Sequence, residues 1–298
     1  MSLTEVGVAG IGFGTAESIP IFHVLSGGSV VRVIINAQVQ PGVDLEGCDD
    51  FNDIVELYTA SIEGQTLKNA DSNSLIRIAK QWHANGVSLE GFDLSVLGDG
   101  LQDIIDDLRL QGLKVGIKTA SLKHVYDVDF VSLDLFNHCS KGIEVSGLEL
   151  DKYLGQAQRQ GSWVEVSVYM RRAVPEEVIG EASITGSHGF PLHVHLIEHG
   201  GGGPVRELYS RLRSINPFVY IHVDLYDELN TYCPRCGSPI AYRDGAALKL
   251  LELNDDACWK CGYRLPFRYI ISKKTSRQLL ALSGGGVRWY DPRAVMLA

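Results

Sequence analysis

The sequence predicts an α/β fold in the form of a whole or partial (β/α) barrel of the TIM type. Two observations support this. Short apolar runs rich in β-branched residues recur through residues 1–229, and stretches with helical spacing separate them. Seven strands alternating with helices favour a parallel sheet, and barrel closure is favoured over an open doubly wound sheet.

The predicted strands lie at 29–36, 87–94, 113–120, 128–136, 163–170, 191–197 and 218–225. The clearest predicted helices are "SNSLIRIAKQWHANG" (72–86) and "LQDIIDDLRLQG" (101–112), and each closes on a glycine, as helix C-termini often do. In a barrel, the active site would lie in the loops after the carboxyl ends of the strands.

A glycine-rich stretch near the N-terminus, "GIGFGTAES" (10–18), has some likeness to a phosphate-binding loop. The lysine of a nucleotide-binding P-loop is missing, and the preceding residues do not read as a strand. We therefore interpret this stretch as a glycine-rich turn.

Composition limits the possible classes of protein. The chain has 298 residues, 45% of them hydrophobic, which is enough for one large domain and a small appendage. No apolar run reaches the roughly 18 to 20 residues of a membrane-spanning helix, and the N-terminus lacks the basic flank of a signal peptide. We expect a cytoplasmic protein without membrane association, whose paired cysteines serve as metal ligands more often than as disulfides.

Four of the six cysteines form the pattern C-x2-C-x21-C-x2-C, and a glycine follows each pair. These cysteines are Cys233, Cys236, Cys258 and Cys261. Four thiolates in this spacing can converge on one ion at about 2.3 Å, and the glycines permit the tight turns that such a site needs. The pattern predicts a zinc ribbon with a closed, structural zinc site. The other two, Cys48 and Cys139, lie far apart in the sequence, and each is expected to be a small buried hydrophobic residue and not a metal ligand.

Charge divides the chain at the same place. Residues 230–298 contain 11 Lys/Arg and 5 Asp/Glu, a net charge of +6, whereas the whole chain carries −9. We predict an acidic barrel domain (1–229), a zinc ribbon (230–272) and a basic C-terminal tail (273–298).

The ribbon resembles a known family. "NTYCPRCGSPIAYR" followed by "CWKCG" is similar to the C-terminal zinc ribbon of radical S-adenosylmethionine proteins of the pyruvate formate-lyase activating-enzyme type, with the AmmeMemoRadiSam subgroup closest. The likeness extends upstream to "PLHVHLIEH", "FVYIHVDL", "VDFVSLDLF" and "IPIFHVLSGGSVVRV", so that it spans about residues 18 to 265.

One departure from the family decides the expected chemistry. Family members hold a [4Fe–4S] cluster with C-x3-C-x2-C after the first strand, and the corresponding positions here are Val39, Val43 and Glu46. We therefore expect no [4Fe–4S] cluster and no radical activity, which also makes S-adenosylmethionine binding doubtful. Glu90 and Asp93 are the residues that stand nearest to the family's acidic cosubstrate-binding segment.

Histidines supply a second candidate site. His193 and His195 alternate along one predicted strand, and His222 and Asp224 do so along the next, so each pair shares a face. If these faces point inward, the side chains could hold a catalytic metal that keeps a water ligand. The alternative is that these histidines are packed or solvated at the strand ends.

These observations lead to three hypotheses. The first is a radical-SAM-like barrel that has lost its cluster and acts as a non-radical binding or scaffold protein with a structural zinc, as a partner of another protein or of an active homologue. The second is a metal-dependent enzyme that uses His193, His195 and His222. The third is nucleic-acid binding through the basic C-terminus, over which docking of that segment against an acidic barrel is favoured.

Overall fold

A computed structural model describes residues 4–37, 45, 47–64, 66–140, 143–198, 202–223 and 228–296. The strands are β1 (Val6–Thr15), β2 (Ser29–Ile35), β3 (Lys68–Ala70), β4 (Gly86–Glu90), β5 (Lys114–Thr119), β6 (Phe130–Leu135), β7 (Trp163–Arg172), β8 (Leu192–Glu198), β9 (Val219–His222), β10 (Thr231–Tyr232), β11 (Pro239–Asp244), β12 (Ala247–Leu251), β13 (Leu253–Asn254), β14 (Ala257–Cys258) and β15 (Val287–Tyr290). The helices are α1 (Asn52–Ile62), α2 (Ser72–Gln81), α3 (Asp99–Leu110), α4 (Gly147–Gln160), α5 (Pro175–His188), α6 (Gly202–Arg213), α7 (Arg277–Leu282) and α8 (Pro292–Val295).

Ten strands form the central sheet. Its order is β15-β1-β2-β4-β5-β6-β7-β8-β9, and β3 also pairs with β1. The run from β2 to β9 is parallel, whereas β1 is antiparallel to its partners β2, β3 and β15. All seven predicted strands are present in this parallel run, and the mixed α/β class with a mostly parallel sheet is confirmed.

The two ends of the sheet are β15 and β9. Within the described part of the chain, the strand order gives no pairing between these two strands, so the sheet is not closed by a continuous ladder. The parallel strands follow one another in chain order, without the reversal that defines a doubly wound sheet.

One face of the sheet is apolar and packs against helices. Val33, Leu89 and Ile117 belong to a large buried cluster that also contains the inward residues of α2 to α6. Local signals set the helix bounds: Asp71 caps α2 by accepting from the Ser74 amide at 2.8 Å, and Ser146 with Glu149 forms a capping box on α4. α3 ends before Gly112 as predicted, but α2 ends at Gln81, because His83 adopts the left-handed conformation and Gly86 begins β4.

The opposite face of the sheet is polar and also buried. Glu90, Lys118, Asp134, Glu165 and His193 project from successive strands, with at most 3% of their surface exposed. Segment 16–28 and α1 cover this polar inner face. From that segment, Ile19 O accepts from Ser132 Oγ at 2.9 Å, and from α1, Tyr58 Oη donates to Asp134. Along each strand, apolar residues that face the helices therefore alternate with buried polar residues that face this inner side.

The glycine-rich stretch is a strand, so the predicted turn is wrong. Gly10, Gly12 and Gly14 lie within β1. A Cβ atom at Gly12 would lie 2.8 Å from the Trp289 ring, and one at Gly14 would lie 2.6 Å from Gly286 O. The glycines therefore allow the C-terminal strand β15 to lie close against β1.

Cys48 is buried and Cys139 packs beside it in an apolar cluster, as predicted, but the two also form a disulfide that was not predicted, with Cα atoms 5.1 Å apart. The bond joins the segment before α1 to the segment after β6. The two cysteines are 91 residues apart in the sequence, so the sequence alone does not indicate the contact. They come together because β2 and β6 belong to the same parallel run of strands and the loops that follow them lie at the same edge of the sheet.

The C-terminal residues form two further small sheets, β10-β11-β12 and β13-β14. Their core is shared with the main sheet, because Cys233 and Cys258 belong to one buried cluster with Phe22, Phe218 and Tyr220. No helix in the described ranges is long and apolar enough to cross a membrane.

Candidate functional site

The four cysteines of the ribbon meet at one point, as predicted. Each pair forms the same turn: the Cys233 amide donates to Ser238 O and the Cys258 amide to Tyr263 O, both at 2.8 Å. The glycine after each pair, Gly237 or Gly262, has a φ of 69°. A non-glycine residue would be strained there, which accounts for the glycine in both copies.

The geometry of the sulfurs fits a metal ion. All four Sγ atoms lie within 4.8 Å of one another, Cys233 and Cys258 are buried, and Cys236 and Cys261 are half-buried. Four converging thiolates could hold a metal such as zinc in a closed tetrahedral site. Because all four positions are filled by protein, such a site has no place for a substrate or a catalytic water.

The predicted histidines come together, but as a hydrogen-bonded stack. His193 Nδ1 lies 2.9 Å from His222 Nε2, and His193 Nε2 lies 2.8 Å from Glu165 Oε2. Both ring nitrogens of His193 are therefore engaged. The His195 ring stacks on His222 with centroids 4.3 Å apart and on Tyr169 at 4.7 Å.

His195 Nε2 is buried without a hydrogen-bond partner. Burial lowers the pKa of His193, and burial together with neighbouring histidines lowers the pKa values of His195 and His222 well below the usual value. Among the described residues, the four cysteines are the only group that brings three or more potential ligand atoms this close. Asp224, predicted beside His222, lies outside the described residues, as do Val39, Val43 and Glu46.

Glu90 lies within the polar inner face. Its carboxylate forms a bidentate ion pair with Arg32, with both nitrogen–oxygen distances at 2.7 Å. A second buried ion pair, Lys118 with Asp134, lies nearby at 2.6 Å, and Tyr169 Oη donates to Asp134 at 2.9 Å. These charged groups satisfy one another inside the protein.

Asp93 lies instead at a cavity. The cavity has a volume of about 510 Å³ and lies beyond the carboxyl ends of β4 and β5, with α4 on its other side. Lys123 donates to Asp93 Oδ2 at 2.7 Å. Burial alone would raise the pKa of Asp93, but hydrogen bonds from Lys123, Ser95 and Ser121 hold it below its usual value.

Charges of both signs line this carboxyl-edge cavity. The cations are Lys123 and Lys152, and the anions are Asp93, Glu144 and Glu149. Tyr153 also lines the cavity, and its buried hydroxyl has no partner. The cavity is large enough for a small molecule.

Sequence reasoning missed Glu165, Lys118, Asp134 and Arg32. A signal was present, because each is a charged residue within an otherwise largely apolar strand. Its apolar neighbours point to the opposite face of the strand. A charge in a buried strand must find a partner, so several such strands together predict a buried network.

In comparisons with known proteins, no protein-family model matches the sequence, and no curated protein matches it either. The function is therefore inferred from the features described above.

Proposed function

We propose that this chain is a non-radical binding protein with a radical-SAM-like fold, in which a ribbon zinc is structural and the carboxyl-edge cavity holds a small polar molecule. The cavity carries the proposal. It lies where parallel α/β sheets place their ligands, beyond the carboxyl ends of the strands. Val39, Val43 and Glu46 occupy the positions of the family's cysteine triad, and the absence of these cysteines supports the absence of radical chemistry.

In the ranges that the structure describes, two buried ion pairs leave no unpaired charge for a ligand in the middle of the inner face. Arg32 with Glu90, and Lys118 with Asp134, fill that face with mutually satisfied charges. Tyr58 of α1 closes over the second pair by donating to Asp134. The chain-order arrangement of the strands and this buried polar face favour the wall of a partial (β/α) barrel.

The lining favours a zwitterionic ligand, that is, one with both a cationic and an anionic group. Lys123 is largely exposed, with 71% of its side chain accessible, and can reach a ligand anion while Asp93 orients it. Glu144 and Glu149 can face a ligand cation. S-adenosylmethionine carries both kinds of charge and is the first probe; without the cluster that holds it in the resembling family, its binding would depend on this lining alone.

Metal analysis of protein purified without oxygen tests the first part. We expect about one zinc per chain, bound by Cys233, Cys236, Cys258 and Cys261, and no iron. Stoichiometric iron with acid-labile sulfide would show that a cluster is retained and would overturn the non-radical assignment.

Calorimetric titration with S-adenosylmethionine tests the second part. We expect saturable binding that weakens about tenfold or more in Lys123→Met, because a charge-assisted hydrogen bond contributes roughly 1.5 to 3 kcal/mol. Lys80→Met is the matched control, since Lys80 lies on α2 and bonds Gln111. Equal affinity in both variants would place the ligand elsewhere, and no binding would remove this ligand. The scaffold and partner role, metal-dependent catalysis and nucleic-acid binding stay predictions.

A further inference from the structure

Glu165 anchors a chain of hydrogen bonds on the polar inner face. Its Oε1 accepts from three groups that can only donate: the amides of Phe22 at 2.9 Å and His23 at 2.8 Å, and Trp163 Nε1 at 3.0 Å. Its Oε2 lies 2.8 Å from His193 Nε2. Burial would raise the pKa of Glu165, but His23 and His193 outweigh it and hold the pKa below the usual range. The carboxylate is therefore ionised, and His193 Nε2 carries the proton.

The next hydrogen bond fixes the second imidazole. Burial lowers the pKa of His193 below its usual value, and in the neutral ring with its proton on Nε2, Nδ1 has a lone pair and can only accept. The partner of that nitrogen is His222 Nε2, at 2.9 Å. His222 Nε2 must then carry a proton, and the lone pair of neutral His222 lies on Nδ1.

The position of His222 allows a ligand to contact this lone pair. His222 is the last residue of β9, at the carboxyl edge of the sheet, and it is half-buried. No residue in the described part of the chain is hydrogen-bonded to its Nδ1. Its ring stacks on His195, whose Nε2 is also without a partner, so two unused imidazole nitrogens belong to adjacent rings.

We propose that Glu165 and His193 are positioning residues that fix the tautomer of His222, and that His222 Nδ1 is a hydrogen-bond-accepting site for a ligand with an O–H or N–H group. The ligand keeps its proton and donates it in a hydrogen bond to the His222 Nδ1 lone pair. The Glu165 carboxylate acts through His193 only to hold the His222 ring in the Nε2–H form, as a carboxylate orients a histidine in other hydrogen-bonded pairs.

Nitrogen-15 NMR of histidine-labelled wild-type protein is the first test and needs no variant. The Nδ1 and Nε2 shifts identify the tautomer of each ring. We expect both His193 and His222 in the Nε2–H form at neutral pH. A proton on His222 Nδ1, or a doubly protonated His193, would overturn the proposal.

Glu165→Gln is the second test, because the structure predicts which way the amide must lie. The three N–H donors hold the carbonyl oxygen at the Oε1 position, so the NH2 group faces His193 and donates to its Nε2. His193 then carries its proton on Nδ1 and donates to His222 Nε2, which moves the His222 proton to Nδ1. We expect both rings to change tautomer, whereas unchanged tautomers in the folded variant would contradict the proposal.

Diethyl pyrocarbonate, which acylates unprotonated imidazole nitrogens, reports the accessible lone pair. We expect His222 of the wild type to be modified, and the modification to be lost in Glu165→Gln. Exposed His124 serves as the internal standard. Glu181→Gln, which replaces the carboxylate partner of His138 by an amide, is the matched control and should leave His222 reactive. If Glu165→Gln does not fold, the wild-type reaction still decides: an unreactive His222 beside a modified His124 would refute the site.

Discussion

Glu17 is a buried carboxyl group with only one oxygen paired. Oε1 accepts from the Gly27 amide at 3.2 Å, whereas Oε2 has no partner. Burial raises the pKa of Glu17 to about 7, and the charge of Arg243 only partly opposes this effect. The folded protein therefore holds a proton here at pH values where the unfolded chain has lost it.

This proton makes the contribution of Glu17 to stability depend on pH. Because the pKa is raised on folding, the contribution is full below the unfolded pKa, near 4.5, and is lost as pH rises through about 7. We expect Glu17→Gln, which cannot ionise, to gain up to roughly 3 kcal/mol relative to wild type between pH 4.5 and pH 8. Denaturant unfolding of both proteins across this range measures the difference, and a difference independent of pH would contradict it.

Residues whose partners are near in sequence could be predicted, and those with distant partners could not. The four cysteines were found because two identical turns carry their own spacing signal. Glu165 was missed because its partners Phe22 and His23 lie over 140 residues away. The placement of His193 and His222 on adjacent strands was predictable from alternation, whereas their hydrogen bond depends on strand register.

Elements were predicted well where the hydrophobic period is clear. The seven parallel strands carry many β-branched apolar residues on the face that packs against the helices, and these residues mark the strands in the sequence. β1 was missed, because its alternate glycines suit a turn in a single sequence and are explained only by the approach of β15. α1 was not identified either, although Tyr58 of α1 reaches the polar inner face.

The disulfide holds α1 in that place. Cys48 precedes α1, and Cys139 follows β6, whose Asp134 accepts from Tyr58. A cross-link that spans 91 residues stabilises a protein by up to about 4.5 kcal/mol, mainly by restricting the unfolded chain. The disulfide therefore ties α1, which covers the inner face, to the strand β6 with which Tyr58 forms its hydrogen bond.

We expect Cys48→Ala and Cys139→Ala to lower the free energy of unfolding by similar amounts, of the order of 2 to 4 kcal/mol. Reduced wild-type protein should match them, because all three lack the same bond. Guanidinium unfolding with and without a phosphine reductant measures this effect. A wild-type midpoint that does not respond to the reductant would show that the bond is absent in solution or without effect on stability.

At the scale of the whole molecule, the ribbon is part of the main core. Arg243 of β11 donates from one terminal nitrogen to Thr231 Oγ1 and from the other to Phe22 O, both at 2.9 Å. Thr231 Oγ1 lies 2.8 Å from Tyr220 Oη on β9, and Thr15 of β1 donates to Ala246 O. The ribbon thus contacts both β1 and β9.

This shared core predicts how the protein responds to loss of the ribbon metal. Structural zinc contributes roughly 10 kcal/mol or more of folding free energy in small peptides, so Cys258→Ser should unfold the ribbon. Because Phe22, Phe218 and Tyr220 lose their packing partners at the same time, we expect faster hydrogen exchange in segment 16–28 and in β9 as well. Mass spectrometry of exchanged peptides checks this expectation, with Cys48→Ala as a control that should instead loosen α1. Exchange that increases only within residues 230–272 would mean that the ribbon folds and unfolds independently of the sheet, and that its zinc stabilises the ribbon alone.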